Sequence, residues 1–119
     1  MVTKMDDKVV LVKKGDELTK TKKQGKLYRL MVKSDKMEAI FAELEPHAES
    51  RWFKHTGEEM HLVLHGKMEY TVGEKSYKLT EGDILWHDSS QKHKAKNIGD
   101  KTVSYITIST PPTFMWADL

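Results

Sequence analysis

Turn-forming residues interrupt this chain about every 8–12 positions, and between them the apolar residues recur with a period of two. Lys14-Gly15-Asp16, Pro46, Gly57, Gly66, Gly73, Glu81-Gly82-Asp83, Asp88-Ser89-Ser90 and Asn97-Ile98-Gly99-Asp100 are the breaks. The segments 9–13, 26–33, 60–65, 67–72, 84–86, 93–97 and 102–110 are short and rich in Val, Ile, Leu, Tyr and Thr. Such spacing leaves no room for a helical domain and predicts an all-β sandwich or barrel. Residues 37–44 are the one ambiguous stretch, fitting either a helix or a strand buried on both faces. Pro111-Pro112 closes the last strand, because neither proline can donate to a ladder.

A chain of 119 residues with 38% hydrophobic and 32% charged side chains can build one core and no second. It lacks cysteine, which excludes disulfide scaffolds, thiolate zinc sites and cysteine nucleophiles. No apolar run approaches the ~18–20 residues of a membrane-spanning helix, and no secretory signal is expected, so a cytoplasmic protein is expected. Residues 1–36 carry 11 basic against five acidic side chains, whereas 37–119 carry nine against 13. The lysines are scattered and lack neighbouring aromatics, so they read as a solvated face, and nucleic acid is not an expected partner. The expected organisation is N-terminal strands over 1–36 packing on the barrel or a partner subunit, a barrel over 37–113, and a tail over 114–119. The tail holds Phe114, Met115 and Trp116, apolar residues expected to dock on the same chain or a second subunit.

All six histidines lie between positions 47 and 93. His55 and Glu59 flank Thr56-Gly57-Glu58. With a glycine inside and a β pattern following, a strand ending at His55, a tight turn and a strand starting at Glu59 would aim both side chains into one barrel mouth. His93 starts a later strand that could reach the same point. Two imidazoles and a carboxylate suit a divalent Fe, Mn, Co, Ni or Zn ion held on one face, with positions left open for water, O2 or substrate.

Strand alternation puts His61, Val63 and His65 on the face of Glu59. His61 is then a candidate ligand, substrate contact or hydrogen-bond partner of the triad, while His65 near the strand end is expected in solvent. Met68, Tyr70 and Val72 share a face on the next strand, where Tyr70 is a candidate to present its hydroxyl to a bound molecule. One of Trp86 and His87 faces inward, and the alternation does not say which. Trp52 and Phe53 are expected to border the mouth, and His47 to lie on a surface loop.

These spacings resemble the two motifs of the cupin superfamily, G-x5-H-x-H-x3,4-E-x6-G and G-x5-P-x-G-x2-H-x3-N. His55, Glu59 and Gly66 match the later part of the first motif; Gly82, His93 and Asn97 match the second. Residues 57–66 are similar to the family's "EE…VL.G" strand, and Leu79-Thr80-Glu81-Gly82-Asp83 to its "L..GD" turn. The resemblance spans about residues 38–113. It implies a double-stranded β-helix (jelly-roll barrel), commonly dimeric, with a metal near its centre.

Three positions depart from the motifs. Asp88 and Ser90 replace a proline and a glycine, both acceptable in a turn. Phe53 stands where the first histidine belongs, which leaves His55, Glu59 and His93, a set similar to that of mononuclear iron cupins. The resemblance therefore implies a metal-dependent small-molecule enzyme, oxygenase-like or an isomerase, or a ligand-binding protein. The rival expectation is a non-catalytic sensing or structural module with a vestigial metal site. Residues 57–112 are similar to the effector domains of XRE-type regulators, although 36 preceding residues are too few for their DNA-binding domain.

Overall fold

The computed structural model describes residues 9–113, so expectations for the tail and for the first eight residues lie outside the described residues. Nine strands form, and no helix does among the described residues: β1 (Thr19–Lys23), β2 (Lys26–Lys33), β3 (Glu38–Leu44), β4 (Glu58–His65), β5 (Lys67–Val72), β6 (Lys75–Thr80), β7 (Ile84–Asp88), β8 (His93–Asn97) and β9 (Val103–Thr110). Consequently no helix among the described residues is long and apolar enough to cross a membrane. The ambiguous 37–44 stretch is strand β3. Its Glu38, Ile40, Ala42 and Leu44 point inward, and Ala39, Phe41 and Glu43 are half-buried on the other side.

The strands build two antiparallel sheets, one in the order β1-β2-β3-β9-β4-β7 and one in the order β6-β5-β8. Their facing sides enclose an apolar cluster of Leu30, Ile40, Leu44, Val63, Met68, Leu79 and Val103 with three tyrosines. The free edge of β8 is covered by residues 48–53, which run alongside it through Ser50 N–Ala95 O at 2.8 Å and reciprocal Phe53–His93 hydrogen bonds at 2.7 and 2.8 Å. Asn97, fully buried, donates to the carbonyls of Leu44 and Lys101, both at 2.8 Å, and staples the end of β8 to the larger sheet.

Two edges differ from expectation. Residues 9–13 form no strand, and Val9 and Leu11 are 79% and 78% exposed. The alternation there is real, but no neighbouring ladder within the chain is offered to it. Conversely, β1 carries no apolar residue and β6 only Tyr77 and Leu79, and each pairs with a neighbour that supplies a continuous backbone ladder, five residue pairs for β1 and six for β6. The β2–β3 pairing is likewise continuous apart from a bulge between Leu30 and Val32, so the sheet crosses positions 33–38 without a break.

Candidate metal centre

Glu59 sits in the interior, on β4 between Ser109 of β9 and His87 of β7. Gly57 makes this placement possible. Its φ of +96° is in the left-handed region, and a Cβ there would run into the Thr110 carbonyl oxygen. The loop before it is not the strand end that the sequence suggests. Phe53 forms only an isolated bridge to His93, and His55 lies in a loop pinned by its own N–H to the Ser89 carbonyl at 3.0 Å. Ser89 N–H returns to the Gly57 carbonyl at 2.9 Å, so the two motif loops are stitched together across the barrel end.

The three sequence-predicted ligands converge. His55 Nε2 is 2.8 Å from Glu59 Oε2 and His93 Nε2 is 3.3 Å from Oε1. Their donor atoms all lie within 4.8 Å of one another. His61 and Tyr70 also reach the carboxylate, at 3.2 Å from His61 Nε2 and 3.4 Å from the Tyr70 hydroxyl. The imidazole of His61 stacks on the Tyr70 ring at 4.0 Å.

Sequence reasoning left one neighbour undecided and missed others. His87 is the inward residue of its pair, with Nε2 3.4 Å from Glu59 Oε1, while Trp86 is 59% exposed. Register decides this, since His87 pairs directly with Glu59 across β4 and β7. The hydroxyl of Ser89, fully buried, donates to Glu59 Oε2 at 2.9 Å. Thr107 lies 2.7 Å from His61 Nδ1. Phe53 lines the interior beside His93, with ring centroids 6.2 Å apart. Trp52 is 45% exposed, with the ammonium groups of Lys92 and Lys94 each 4.9 Å from its ring centre. His47 and His65 are exposed, as their loop and strand-end positions imply.

The hydrogen-bond partners fix which nitrogens face inward. His93 Nδ1 donates to the Gln91 carbonyl at 2.7 Å, and His87 Nδ1 to the Asp88 carbonyl at 2.9 Å. Thr113 gives its hydroxyl proton to the Thr56 carbonyl at 2.7 Å, so it accepts from His55 Nδ1 at 3.0 Å. In the neutral ring each of these three imidazoles therefore aims a lone pair on Nε2 at the carboxylate. Lone pairs facing an anion repel unless a cation stands between them. Outward Nδ1–H bonds to oxygen are also the usual orienting partners of metal-bound histidine.

Spacing agrees with the tautomers. Donors about 2.1 Å from one ion stand ~3.0 Å apart in an octahedron and ~3.4 Å apart in a tetrahedron. The nitrogen-to-oxygen distances here run from 2.8 to 3.4 Å. The residues fit a divalent ion.

Without an ion, protons take its part. Burial alone would raise the Glu59 carboxyl, but the imidazoles of His55, His61, His87 and His93 gathered around it hold it well below the usual carboxylate range. Burial by itself lowers His55, and the hydrogen bond and charge of Glu59 outweigh it, so His55 is raised. His61 goes the other way, lowered by burial to about 4. Burial raises the Tyr70 hydroxyl, with the Glu59 charge adding to it, so this phenol stays a hydrogen-bond donor.

Two sheets facing each other, with imidazoles and one carboxylate turned inward at one end, define a small β-barrel with a candidate metal centre. The cupin-domain family model matches residues 40–109, and the chain belongs to the cupin family. An uncharacterized protein of Archaeoglobus fulgidus is 36% identical over 64 residues, 54% of this chain and 60% of that protein, so the match spans less than two thirds of the curated relative. A predicted oxalate decarboxylase from Thermotoga maritima superimposes with a TM-score of 0.74 at 17% identity, covering 85% of this chain and 98% of that one. The cupin domain of an XRE family transcriptional regulator from Enterobacter cloacae superimposes at 0.69 with 17% identity, covering 75% and 99%. At such identities the two structures attest the double-stranded β-helix and nothing finer.

Proposed function

We propose that His55, Glu59 and His93 hold a divalent metal ion, and that its open positions bind a small oxygen-donor molecule on which this protein acts. The inward lone pairs of His55 and His93 beside one carboxylate carry this reading. A bound ion would supply Lewis acidity and, if iron, a site for O2. Glu59 contributes the charge that retains the ion, and Ser89 occupies one of its remaining lone pairs. Tyr70 and His61 present polar groups to whatever reaches the carboxylate, in a reaction of oxygenase or isomerase type.

A second reading, a sensing or structural module without turnover, draws support from the size of the interior. The cavity bounded by Phe53, Glu59, His61, Tyr70, His93 and Tyr105 is about 20 Å³, space for about one water. Metal analysis of tag-free protein beside Glu59→Gln tests the metal reading. Near one equivalent in the parent and a large loss in the variant is the expected result; equal, near-zero metal in both would defeat it. Turnover of added small molecules by the loaded protein then separates the enzyme from the sensor.

A cytoplasmic homodimer completes the proposal. Exposed Met60, Ile84 and Trp86 share the outer face of the larger sheet, an apolar surface suited to a second copy. Light scattering during size exclusion should give twice the chain mass, and the chain mass alone overturns the dimer.

A further inference from the structure

Glu59 serves two ligand sets, and the second uses neither triad histidine. His61 Nε2 and His87 Nε2 are 2.9 Å apart, and each faces Glu59 Oε1, at 3.2 and 3.4 Å. These three edges match neighbouring donors around an ion at about 2.1 Å, as the triad distances do. The backbone enforces them: His61 is two residues beyond Glu59 on the same inward face, and His87 is the cross-strand partner of Glu59.

The protons are compatible with a cation here. His87 spends its Nδ1–H on the Asp88 carbonyl, so Nε2 is the lone-pair nitrogen. Two lone pairs cannot face each other at 2.9 Å, so in the metal-free protein His61 carries its proton on Nε2 and accepts from the Thr107 hydroxyl at 2.7 Å. A hydroxyl both donates and accepts. Rotation of the Thr107 O–H lets His61 move its proton to Nδ1 and free Nε2, with no net proton released.

Access differs too. His87 forms part of the wall of an open groove of about 590 Å³ between the β5–β6 hairpin and β7, together with Lys75, Tyr77, Trp86 and Gln91. Glu59, His61 and His93 line the narrow interior cavity, so His87 is the ligand through which the second set also meets the groove.

We infer that Glu59, His61 and His87 form a second divalent-cation position, entered from the β6/β7 groove and taking ions of the zinc, cobalt, nickel or copper class that two imidazoles and a carboxylate favour. It shares only Glu59 with the site of the proposed function. With one carboxylate charge serving both, the two positions fill in turn, and the second ion binds more weakly than the first.

Cobalt(II) titration of the full tag-free chain, followed by visible absorption and equilibrium dialysis, tests this directly. The His55→Ala/His93→Ala variant should still bind one equivalent. Adding His87→Ala should weaken that binding by more than the ~100-fold that loss of an outer partner costs, while adding His47→Ala at the surface should not. No cobalt in the double variant beside a binding parent overturns the second position and leaves the triad standing. Cobalt that survives His87→Ala overturns it as well, by placing the ion elsewhere. A parent that binds no cobalt ends both readings. Far-UV circular dichroism checks folding, and His55→Gln/His93→Gln replaces the alanine variant if that one unfolds.

Discussion

The two ends of this barrel are built from opposite materials on the same strands. Strand β4 carries Glu59 and His61 toward one end and Val63 toward the other, all buried. Around Val63 the interior is Leu44, Met68, Leu79 and Val103; around Glu59 it is His55, His87, Ser89 and His93. Buried apolar area drives folding, and buried polar groups cost stability unless paired. The dry end therefore carries the fold, and its rigidity lets the polar end hold imidazoles around a carboxylate in an arrangement that could hold a metal ion.

That division can be broken at either end. The largest effect belongs to Leu44→Ala at the dry end, which should cost about 2–5 kcal/mol in urea unfolding. Metal content of the folded variant should stay that of the parent. A loss of metal without a loss of stability would mean the ends are not separable.

The next effect is a pH dependence of the metal-free protein. The folded-state pKa of His61, about 4, lies below its unfolded value of about 6.5. The unfolded chain thus binds more protons between those values, and stability falls as pH drops from ~6.5 toward ~4, by on the order of 3 kcal/mol. Melting temperatures across that window should decline in the parent and flatten in His61→Gln. His55, being raised, acts in a different window. Its contribution is fully present below ~6.5 and is lost as pH rises through its folded value. Metal binding, which needs neutral rings, strengthens over that same rise.

A smaller change probes orientation alone. Thr113→Val removes the acceptor that holds the His55 Nδ1–H, and metal affinity should fall ~10–100-fold with little change in melting. The smallest effect is expected at the surface, where Lys94 reaches Glu49 at 3.2 Å and lies over Trp52. Lys94→Ala should change stability by under ~1 kcal/mol and leave metal untouched.

How legible each end was in the sequence follows the same physics. Alternation on β4 and β5 assigned Glu59, His61, Val63, Met68 and Tyr70 to the interior, because one buried face imposes a period of two. His87 stayed undecided because the phase of a five-residue strand after the Glu81-Gly82-Asp83 turn depends on its register with β4. Strands β1 and β6 were invisible since their hydrogen bonds are backbone and their side chains are mostly exposed or half-buried. Residues 9–13 misled for the converse reason, having the pattern of a strand without a neighbour. The hydroxyl of Thr113 and the carbonyls of Gln91 and Asp88, which set the ring tautomers, are matters of backbone path that no local pattern encodes.

Anomalous diffraction from crystals grown with zinc or cobalt, collected on both sides of the metal's absorption edge, would locate the ion itself. A peak about 2.0–2.2 Å from His55 Nε2, Glu59 and His93 Nε2 is the expected outcome. A barrel interior without anomalous density, while surface histidines such as His47 or His65 bind the ion, would contradict it.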